Sequence, residues 1–316
     1  MEKPKVLIVD PIHPHAIELL SERCEVQHII HPPKEELIEL LKDTDVIILR
    51  SGIKLPGDVI KSSDKLKIIA RAGSGVDNIE IPAATEKGII VFNVPGVSAL
   101  SVAELTIGLL FSITRKISLA DSWLRDNQWR KKECYGYELS GKTIGVVGLG
   151  KIGKKVALLA KNMGMNVLGY KKNINDEIKE EFNSEGITLV SSLPELLKES
   201  DFVSLNVPLT EDTRNLITLA ELKLMKKESF LINTARGGVV NETDLYTALK
   251  ENIITGAATD VFEKEKERTP LFELDNIVVT PHIGAMTYDA QKRIAEVLCQ
   301  YVFDALDGKE VKTRMN

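Results

Sequence analysis

The sequence predicts an α/β fold with two doubly wound, parallel-sheet domains, and three observations support this prediction. The chain has 316 residues, more than the about 250–300 at which a single core usually stops growing. Short apolar runs alternate with helical patterns in two blocks, as in parallel sheets covered by helices on both faces. A long stretch almost free of Gly and Pro separates the two blocks.

The first block begins near the first residue and alternates apolar runs with helical patterns. Its buried strands are predicted at Lys5–Val9, Asp45–Leu49, Lys67–Ala70 and Ile89–Phe92. The helices between them are predicted at His15–Ser21, Lys34–Leu41 and Pro56–Lys61. This βαβ alternation predicts the first parallel sheet.

The middle of the chain predicts one long helix from Ser98 to about Arg125, where Gly108 is the only Gly or Pro. Ser101 and Glu104 have the spacing of a capping box, in which two side chains satisfy backbone amides at the start of a helix. We expect this helix to be buried at a junction between domains or subunits.

The second block begins at Lys142 and repeats the alternation. Its clearest strands are predicted at Thr143–Val147, Asn166–Tyr170, Phe202–Asn206, Phe230–Asn233 and Ile277–Thr280. Its clearest helices are predicted at Lys151–Met163 and Glu242–Lys250. A last periodic stretch, about Tyr288–Leu306, predicts a helix that ends at Gly308. This helix could return to the first domain, which would make that domain discontinuous.

Composition and charge narrow the classes of partner and compartment. A formal net charge of -5 disfavours a nucleic-acid partner, because such binding depends on clustered Lys and Arg that contact phosphates. The sequence has neither the ~18 uncharged apolar residues of a membrane span nor the apolar region of a signal peptide near its start. Cys24, Cys134 and Cys299 are far apart and odd in number, which fits neither a disulfide framework nor a metal site. We therefore expect a cytoplasmic protein with reduced thiols and no bound metal.

A glycine-rich turn is the strongest local motif. The run Gly148-Leu-Gly150-Lys151-Ile152-Gly153 follows an apolar strand and opens a helix, which is the context that makes this pattern specific. Gly148 permits a tight turn, Gly150 lets the backbone approach a pyrophosphate, and Gly153 lets the helix pack closely on the strand. The amides near Lys151 and Ile152 would face the phosphates at the positive end of the helix. The motif predicts a dinucleotide-binding domain, and the alternative is a βα turn without a ligand.

The choice between NAD and NADP is left open by the end of the second strand of this domain. An acidic residue that binds the ribose hydroxyls is expected about 20 residues after the glycine turn, but the strand ends in Tyr170, Lys171 and Lys172. An acid would repel a 2′-phosphate, whereas an ammonium group attracts one. We therefore expect NAD with NADP as an open alternative, since Lys171 and Lys172 could also be a solvated basic loop beside an NAD site.

Three downstream segments hold candidates for the chemistry. Arg236 lies in a glycine-rich turn after an apolar run, and its planar guanidinium matches a carboxylate. An acidic loop runs from Asp260 to Glu265, and His282 follows a predicted strand. Taken singly, these segments also fit a buried Arg–carboxylate pair, a solvated acidic face and a core or surface histidine.

Together, the three segments match the needs of 2-keto acid reduction. The reaction needs a carboxylate clamp, a hydride donor and a proton donor at the carbonyl oxygen. Arg236 would supply the clamp and His282 the proton, while a carboxylate of the acidic loop would orient the imidazole and favour its charged form. Histidine suits this role because it changes protonation near neutral pH.

With these segments, the sequence resembles the D-2-hydroxyacid dehydrogenase family over nearly its whole length. Within this family it resembles the phosphoglycerate dehydrogenases most closely. Several motifs in the same order carry the resemblance. They are Leu49–Ser51, Arg71–Asn78, Asn93–Pro95, Ser101–Glu104, Glu138–Gly145, the glycine turn, Val207–Thr210 and the three segments around Arg236, Asp260 and His282. The resemblance implies a hydride-transfer enzyme that uses a nicotinamide dinucleotide.

The resemblance also implies roles for individual residues. Arg236 would bind the substrate carboxylate and polarise the carbonyl, and His282 would be the acid/base with Glu265 as its partner. Asp260 would hold the nicotinamide carboxamide. The remaining cofactor positions that it implies are Tyr170, Val207, Pro208, Thr213, Thr234, Ala235 and Gly284. The substrate positions that it implies are Arg50, Ser51, Arg71, Ser74, Gly75 and Val76.

The family fold implies a flavodoxin-like substrate domain formed by residues 1–96 and 287–316. A Rossmann-type NAD(P)-binding domain, residues 97–286, would lie between these two parts of the sequence. Family members are typically dimers through the cofactor domains, so a homodimer is expected. No sequence remains after about Met315 for the C-terminal regulatory domain of longer relatives, so we expect a short form without serine feedback.

The resemblance favours oxidation of 3-phospho-D-glycerate to 3-phosphohydroxypyruvate, a step of serine biosynthesis. The alternatives are reduction of glyoxylate or hydroxypyruvate and a non-enzymatic NAD(H)-sensing protein on the same fold. Two departures bear on this choice. Ser98 replaces an Asn that the most similar relatives carry near the substrate, and Lys171 replaces the usual Asp.

Overall fold

The computed structural model describes residues 2–316, and these form two compact units. One unit contains the residues up to Ser98 together with Met286–Asn316, and the other contains Ala99–Ala285. Both units are α/β structures whose sheet strands all pair in parallel. The predicted fold class is therefore confirmed.

The first unit is built on a five-stranded sheet with the order β2-β1-β3-β4-β5. Its strands are β1 (Lys5–Ile8), β2 (Glu25–His28), β3 (Val46–Leu49), β4 (Ile68–Arg71) and β5 (Ile90–Asn93). Its helices are α1 (Pro14–Arg23), α2 (Lys34–Leu41), α3 (Gly57–Lys61), α4 (Ile81–Glu86) and α12 (Tyr288–Leu306). This strand order is that of flavodoxin-like folds.

Alternating residues of β1, and Val9 directly after it, build the core on both faces of this sheet. Val6 and Ile8 pack with the buried residues of α1 and α12, whereas Leu7 and Val9 pack with those of α2, α3 and α4. This follows from the two-residue period of a strand. The ring of Phe92 in β5 meets Tyr301 of α12 edge to face, with centroids 5.9 Å apart, so the last helix completes the core of the first unit.

The second unit is built on a seven-stranded sheet with the order β12-β11-β10-β9-β6-β7-β8. Its strands are β6 (Thr143–Val147), β7 (Asn166–Tyr170), β8 (Thr188–Leu189), β9 (Phe202–Leu205), β10 (Phe230–Asn233), β11 (Gly256–Thr259) and β12 (Ile277–Val279). Its helices are α5 (Ala99–Thr114), α6 (Ile117–Arg125), α7 (Lys151–Asn162), α8 (Asp176–Ser184), α9 (Leu193–Glu199), α10 (Leu219–Leu222) and α11 (Glu242–Lys250). Short 3-10 helices are at Lys131–Cys134 and Pro270–Glu273.

The prediction of one long helix from Ser98 to Arg125 is wrong. The stretch forms two helices, α5 and α6, because Lys116 adopts the left-handed conformation with φ of 53° and so ends regular helical winding. The capping-box prediction is also wrong. Ser101 lies inside α5, and its hydroxyl donates to the carbonyl of Gly284 over 2.7 Å, so a tertiary partner has replaced the local one.

Residues 2–316 form no helix that is long and apolar enough to cross a membrane. The same residues contain no cluster of three or more His, Cys, Asp or Glu side chains that could hold a metal ion. Cys24 and Cys299 are buried thiols, and Cys134 is partly exposed.

Candidate active site

The glycine-rich turn connects β6 to α7. In the second sheet, the direction of winding reverses between β6 and β9. Gly148 has φ of 89°. A Cβ on Gly153 would lie 1.9 Å from the carbonyl oxygen of Gly148, whereas a Cβ on Gly150 would meet no atom within 4 Å. The turn is thus tightly packed on its inner side and open at the N-terminus of α7, where backbone amides attract phosphates. A dinucleotide pyrophosphate fits such a turn, and the amides of Lys151 and Ile152, the first two residues of α7, are the groups that could hold it.

Two lysines follow β7, next to this turn, since the amide of Gly148 donates to the carbonyl of Tyr170 over 2.8 Å. Nζ of Lys172 forms an ion pair with Asp212 at 2.8 Å. Nζ of Lys171 lies 5.8 Å from the centroid of the Phe182 ring. The end of β7, where an acidic residue for the ribose hydroxyls was expected, is therefore followed by two lysines in different surroundings.

The loop after β9 lies beside the same turn. A Cβ on Gly148 would be 2.8 Å from Cγ1 of Val207, which places Val207 against the glycine turn. The hydroxyl of Thr213 donates to the carbonyl of Pro208 over 2.5 Å, and the amide of Thr210 donates to Thr213 over 2.8 Å. Thr213 therefore holds this loop in its shape.

Arg236 lies just after β10, in a turn that Asn233 braces on both sides. The side chain of Asn233 accepts from the amide of Ala235 over 3.1 Å and donates to the carbonyl of Arg236 over 3.2 Å. Nη1 of Arg236 donates to the carbonyl of Ala235 over 2.8 Å. The hydroxyl of Thr234 is buried against that of Thr106 in α5, at 2.8 Å. Asn233 was missed by sequence reasoning, although an Asn at a strand end before a Gly-rich turn is a recognisable signal.

His282 and Glu265 form a pair, with Nδ1 of the imidazole 2.5 Å from Oε1 of the carboxylate. The side chains are 38% and 42% exposed, so both are open to a ligand. His282 has φ of 54°, a conformation that costs energy in a residue other than Gly and persists where surrounding contacts enforce it. Nδ1 is engaged by Glu265, so Nε2 is the ring atom that remains for a substrate.

Asp260 supplies the contacts that enforce this conformation. It is 1% exposed, and its carbonyl accepts from the amide of His282 over 2.9 Å. Its Oδ1 accepts from the hydroxyl of Thr280 over 2.6 Å and from the amide of Ile283 over 2.8 Å. Its Oδ2 accepts from the amide of Gly284 over 2.8 Å. In this structure both carboxylate oxygens of Asp260 therefore hold the turn that carries His282.

A further hydrogen bond, which was not predicted from the sequence, supports the loop that contains Glu265. Oε1 of Glu242, at the start of α11, accepts from the amide of Glu263 over 2.5 Å. Burial raises the pKa of this carboxyl, and the hydrogen bond from Glu263 opposes the increase. Acidic residues are common in the first turn of a helix, because their negative charge interacts favourably with the positive end of the helix dipole. The contact of Glu242 with Glu263 therefore has no distinct signal in the sequence.

The substrate positions that the resemblance implies all lie in the first unit, at the carboxyl ends of β3 and β4. Arg50 and Ser51 follow β3, Arg71 ends β4, and Ser74–Val76 lie in the segment after it. Nδ2 of Asn93, the last residue of β5, donates to the carbonyl of Ser74 over 2.6 Å. The carboxyl edge of a parallel sheet is where such folds bind ligands.

Comparisons with known proteins show which family the chain is similar to. A sequence profile described as "D-isomer specific 2-hydroxyacid dehydrogenase, NAD binding domain" matches residues 107–284. A Methanocaldococcus jannaschii protein named D-3-phosphoglycerate dehydrogenase is 47% identical over 313 residues, which cover 99% of this chain and 59% of that protein. A Thermotoga maritima protein named hydroxypyruvate reductase is 42% identical over 311 residues, covering 97% and 99%. This chain therefore spans only part of the first relative and nearly all of the second.

A solved structure shows the same fold over the whole chain. The structure of the TT0316 protein from Thermus thermophilus has a TM-score of 0.91 to this one, at 33% sequence identity. The match covers 99% of this chain and 100% of that chain.

Proposed function

The chain belongs to the D-isomer specific 2-hydroxyacid dehydrogenase family, and from this premise we propose that it transfers a hydride between NAD(P) and a D-2-hydroxy acid. One observation carries the proposal: Nδ1 of His282 is 2.5 Å from Glu265, in the same unit as an open glycine turn and Arg236. An oriented acid/base, a guanidinium and a dinucleotide cradle are the parts that the reaction needs.

The proposed mechanism assigns one task to each side chain. A nicotinamide dinucleotide held at the glycine turn would supply the hydride acceptor or donor. Arg236 binds the substrate carboxylate with its planar fork and polarises the carbonyl. Nε2 of His282 takes the hydroxyl proton during oxidation and returns it during reduction, while Glu265 keeps the ring oriented and offsets its positive charge.

The first unit is proposed to contribute further contacts to the substrate, including its carboxylate. The backbone amides of Ser74, Gly75 and Val76 would hold the carboxylate, and Arg50, Ser51 and Arg71 would line the same edge. The second unit would position the cofactor through the glycine turn and the loops that follow β7, β9 and β10. Residues up to about 96 and from about 287 would therefore form the substrate domain.

The proposed substrate is 3-phospho-D-glycerate, oxidised to 3-phosphohydroxypyruvate. Its support is the relative at 47% identity that is named for this substrate. Reduction of hydroxypyruvate or glyoxylate is the second candidate, because the relative that this chain matches over 99% of its length is named hydroxypyruvate reductase. A non-enzymatic NAD(H) sensor is the third candidate.

A homodimer is also proposed, and the surface of α6 supports it. None of the residues of α6 is buried, and some of its exposed side chains are large and apolar. Ile117 and Leu124 are 54% and 56% exposed, and the nearby Trp129 and Tyr135 are 82% and 85% exposed. Large apolar side chains grouped on one surface are typical of an interface. A second copy of this chain is the occupant that the family's typical dimer suggests.

Turnover measurements test the proposed reaction. We expect the protein to turn over at least one of phosphoglycerate, glycerate, lactate (each with NAD or NADP) and glyoxylate (with NADH or NADPH). We expect His282→Ala to lower kcat by ~10²-fold or more, the usual contribution of a general acid/base.

His15→Ala is the matched control, because His15 also pairs with a glutamate, Glu18, at 3.0 Å, but on α1. This variant should keep normal turnover. Near-normal kcat in His282→Ala would remove His282 from the proposed role. Wild-type protein that binds NADH but turns over none of these acids would favour the sensor.

A further inference from the structure

A histidine–carboxylate pair also lies at the carboxyl edge of the sheet in the first unit. Nε2 of His31 is 2.8 Å from Oδ1 of Asp10. Asp10, just after β1, is 1% exposed, whereas the His31 side chain is 48% exposed. A buried carboxylate therefore orients a ring that remains open to a ligand.

The surrounding chain holds this ring in one place. His31 has φ of 50°, in the left-handed region that is costly for a residue other than Gly, and its amide donates to the carbonyl of Val9 over 2.9 Å. Gly52 packs directly against the pair. A Cβ on Gly52 would lie 2.0 Å from Oδ1 of Asp10 and 2.3 Å from Nε2 of His31.

Arg50 adds a positive charge next to this pair, and its Nη1 donates to the carbonyl of Pro11, the residue after Asp10, over 3.3 Å. Its amide donates to Oδ2 of Asp10 over 2.6 Å, so one carboxylate orients His31 and also holds the backbone of Arg50. Burial lowers the pKa of Arg50, and the charge of Asp10 opposes this; an arginine stays charged in proteins all the same. With a protonated imidazole, the three side chains carry two positive charges and one negative charge, so they attract an anion.

These three residues lie where doubly wound sheets bind ligands. In the strand order of this unit, the winding reverses between β1 and β3, and ligands bind outside the carboxyl ends of the strands at such a point. The side chain of Asn78 donates to the carbonyl of Arg50 over 2.6 Å, which ties this group to the segment that contains Ser74–Val76. Neighbouring strands are about 4.8 Å apart, so β1 and β4 are separated by roughly 10 Å.

We infer that His31, oriented by Asp10 and assisted by Arg50, binds the distal phosphate of a phosphorylated 2-hydroxy acid. The inference rests on the proposed function, because it needs the substrate carboxylate to bind at Ser74–Val76. Asp10 occupies Nε2, so Nδ1 is the ring atom that donates to the phosphate. The span between the two positions suits a short acid with an anionic group at each end.

The test compares 3-phosphoglycerate with D-glycerate, which lacks only the phosphate. His31→Gly and His31→Asn remove the imidazole but tolerate the positive φ. We expect both variants to lose roughly tenfold or more of the preference for phosphoglycerate in kcat/KM, the usual scale of a hydrogen bond to a charged group. Gly52→Ala should cause a similar loss, because its Cβ would displace the ring from Asp10.

The matched control is His28→Asn, because His28 is an exposed histidine of β2 outside this group, and it should leave the preference unchanged. Calorimetric titration with 3-phosphoglycerate repeats the comparison without turnover. A protein that turns over no acid but binds 3-phosphoglycerate through His31 would contradict the proposed function alone. Equal losses for both acids, or unchanged affinity for 3-phosphoglycerate in both His31 variants, would overturn the inference.

Discussion

Two adjacent lysines after β7 differ in their surroundings, and this difference bears on the choice of cofactor. Lys172 is paired with the exposed carboxylate of Asp212 at 2.8 Å, whereas Nζ of Lys171 lies over the Phe182 ring. An exposed ion pair contributes little stability, but it supplies Lys172 with a counter-charge. Lys171 is therefore the residue whose charge we expect a 2′-phosphate to meet.

The prediction at this position concerns selectivity between NAD and NADP. If Lys171 contacts the 2′-phosphate, Lys171→Asp should lower kcat/KM for NADP by about tenfold or more relative to NAD, because attraction becomes repulsion. Steady-state kinetics with both cofactors measures this. Lys142→Asp, the same change just before β6, should leave the ratio as in the wild type. An equal effect of Lys171→Asp on both cofactors would refute the role.

The turns at strand ends are the elements that shape the site. Asp260 fixes the His282 turn through both carboxylate oxygens, and Asn233 fixes the Arg236 turn from two sides. The glycine turn is fixed differently, by backbone packing between Gly148 and Gly153. In each case a group that we propose to react or to bind phosphate lies on a short turn that neighbouring residues hold in place, and such support keeps catalytic groups in position.

The glycine turn gives a prediction for the element as a whole. Gly153→Ala would place a methyl group 1.9 Å from the carbonyl of Gly148, so the start of α7 must move. We expect the Kd for NADH to rise by about tenfold or more. A displaced backbone amide at the start of α7 would lose its charge-assisted hydrogen bond to the pyrophosphate. Fluorescence titration measures this.

Gly108→Ala is the matched control for that change. Gly108 lies in α5, and a Cβ there would meet no atom within 4 Å. This variant should bind NADH normally and gain stability, because Ala is the better helix former. Unchanged NADH affinity in Gly153→Ala would show that close packing of this turn does not matter for the cofactor.

At the scale of the molecule, each unit completes its core with a segment distant in sequence. The first unit needs α12, whose residues Leu298, Cys299 and Val302 are buried with those of α1 and β1. The second unit buries one side of α5 against α7 and its own sheet. By contrast, α6 buries no residue, so its apolar surface is available for a partner of the whole molecule.

The predicted homodimer can be tested on that surface. Leu124 is 56% exposed, and Leu124→Asp would place a charge in the proposed interface, where burial without a partner is costly. We expect sedimentation to show a dimer for the wild type and a monomer for this variant. Tyr288→Ser is the control, because Tyr288 is 92% exposed on α12. A wild-type monomer at micromolar concentration would contradict the dimer.

Local patterns in the sequence determined the fold class, most strands and the glycine turn. The runs that became β1, β3 and β6 are apolar and short, and the glycine spacing has a direct steric meaning at Gly148 and Gly153. These features follow from period and residue size, so they need no knowledge of distant contacts. The strands β2, β8 and β11 were not predicted. Glu25–His28 is mostly polar, Thr188–Leu189 has only two residues, and Gly256–Thr259 consists of small residues.

Only the tertiary structure decided which groups meet. The distance between His282 and Glu265, the use of both oxygens of Asp260, and the pairing of His31 with Asp10 all join residues 17 or more positions apart. The contact of Ser101 with Gly284 likewise joins residues that are distant in the sequence. Local propensity is worth fractions of a kcal/mol per residue, so packing and buried hydrogen bonds, which no local pattern encodes, override it.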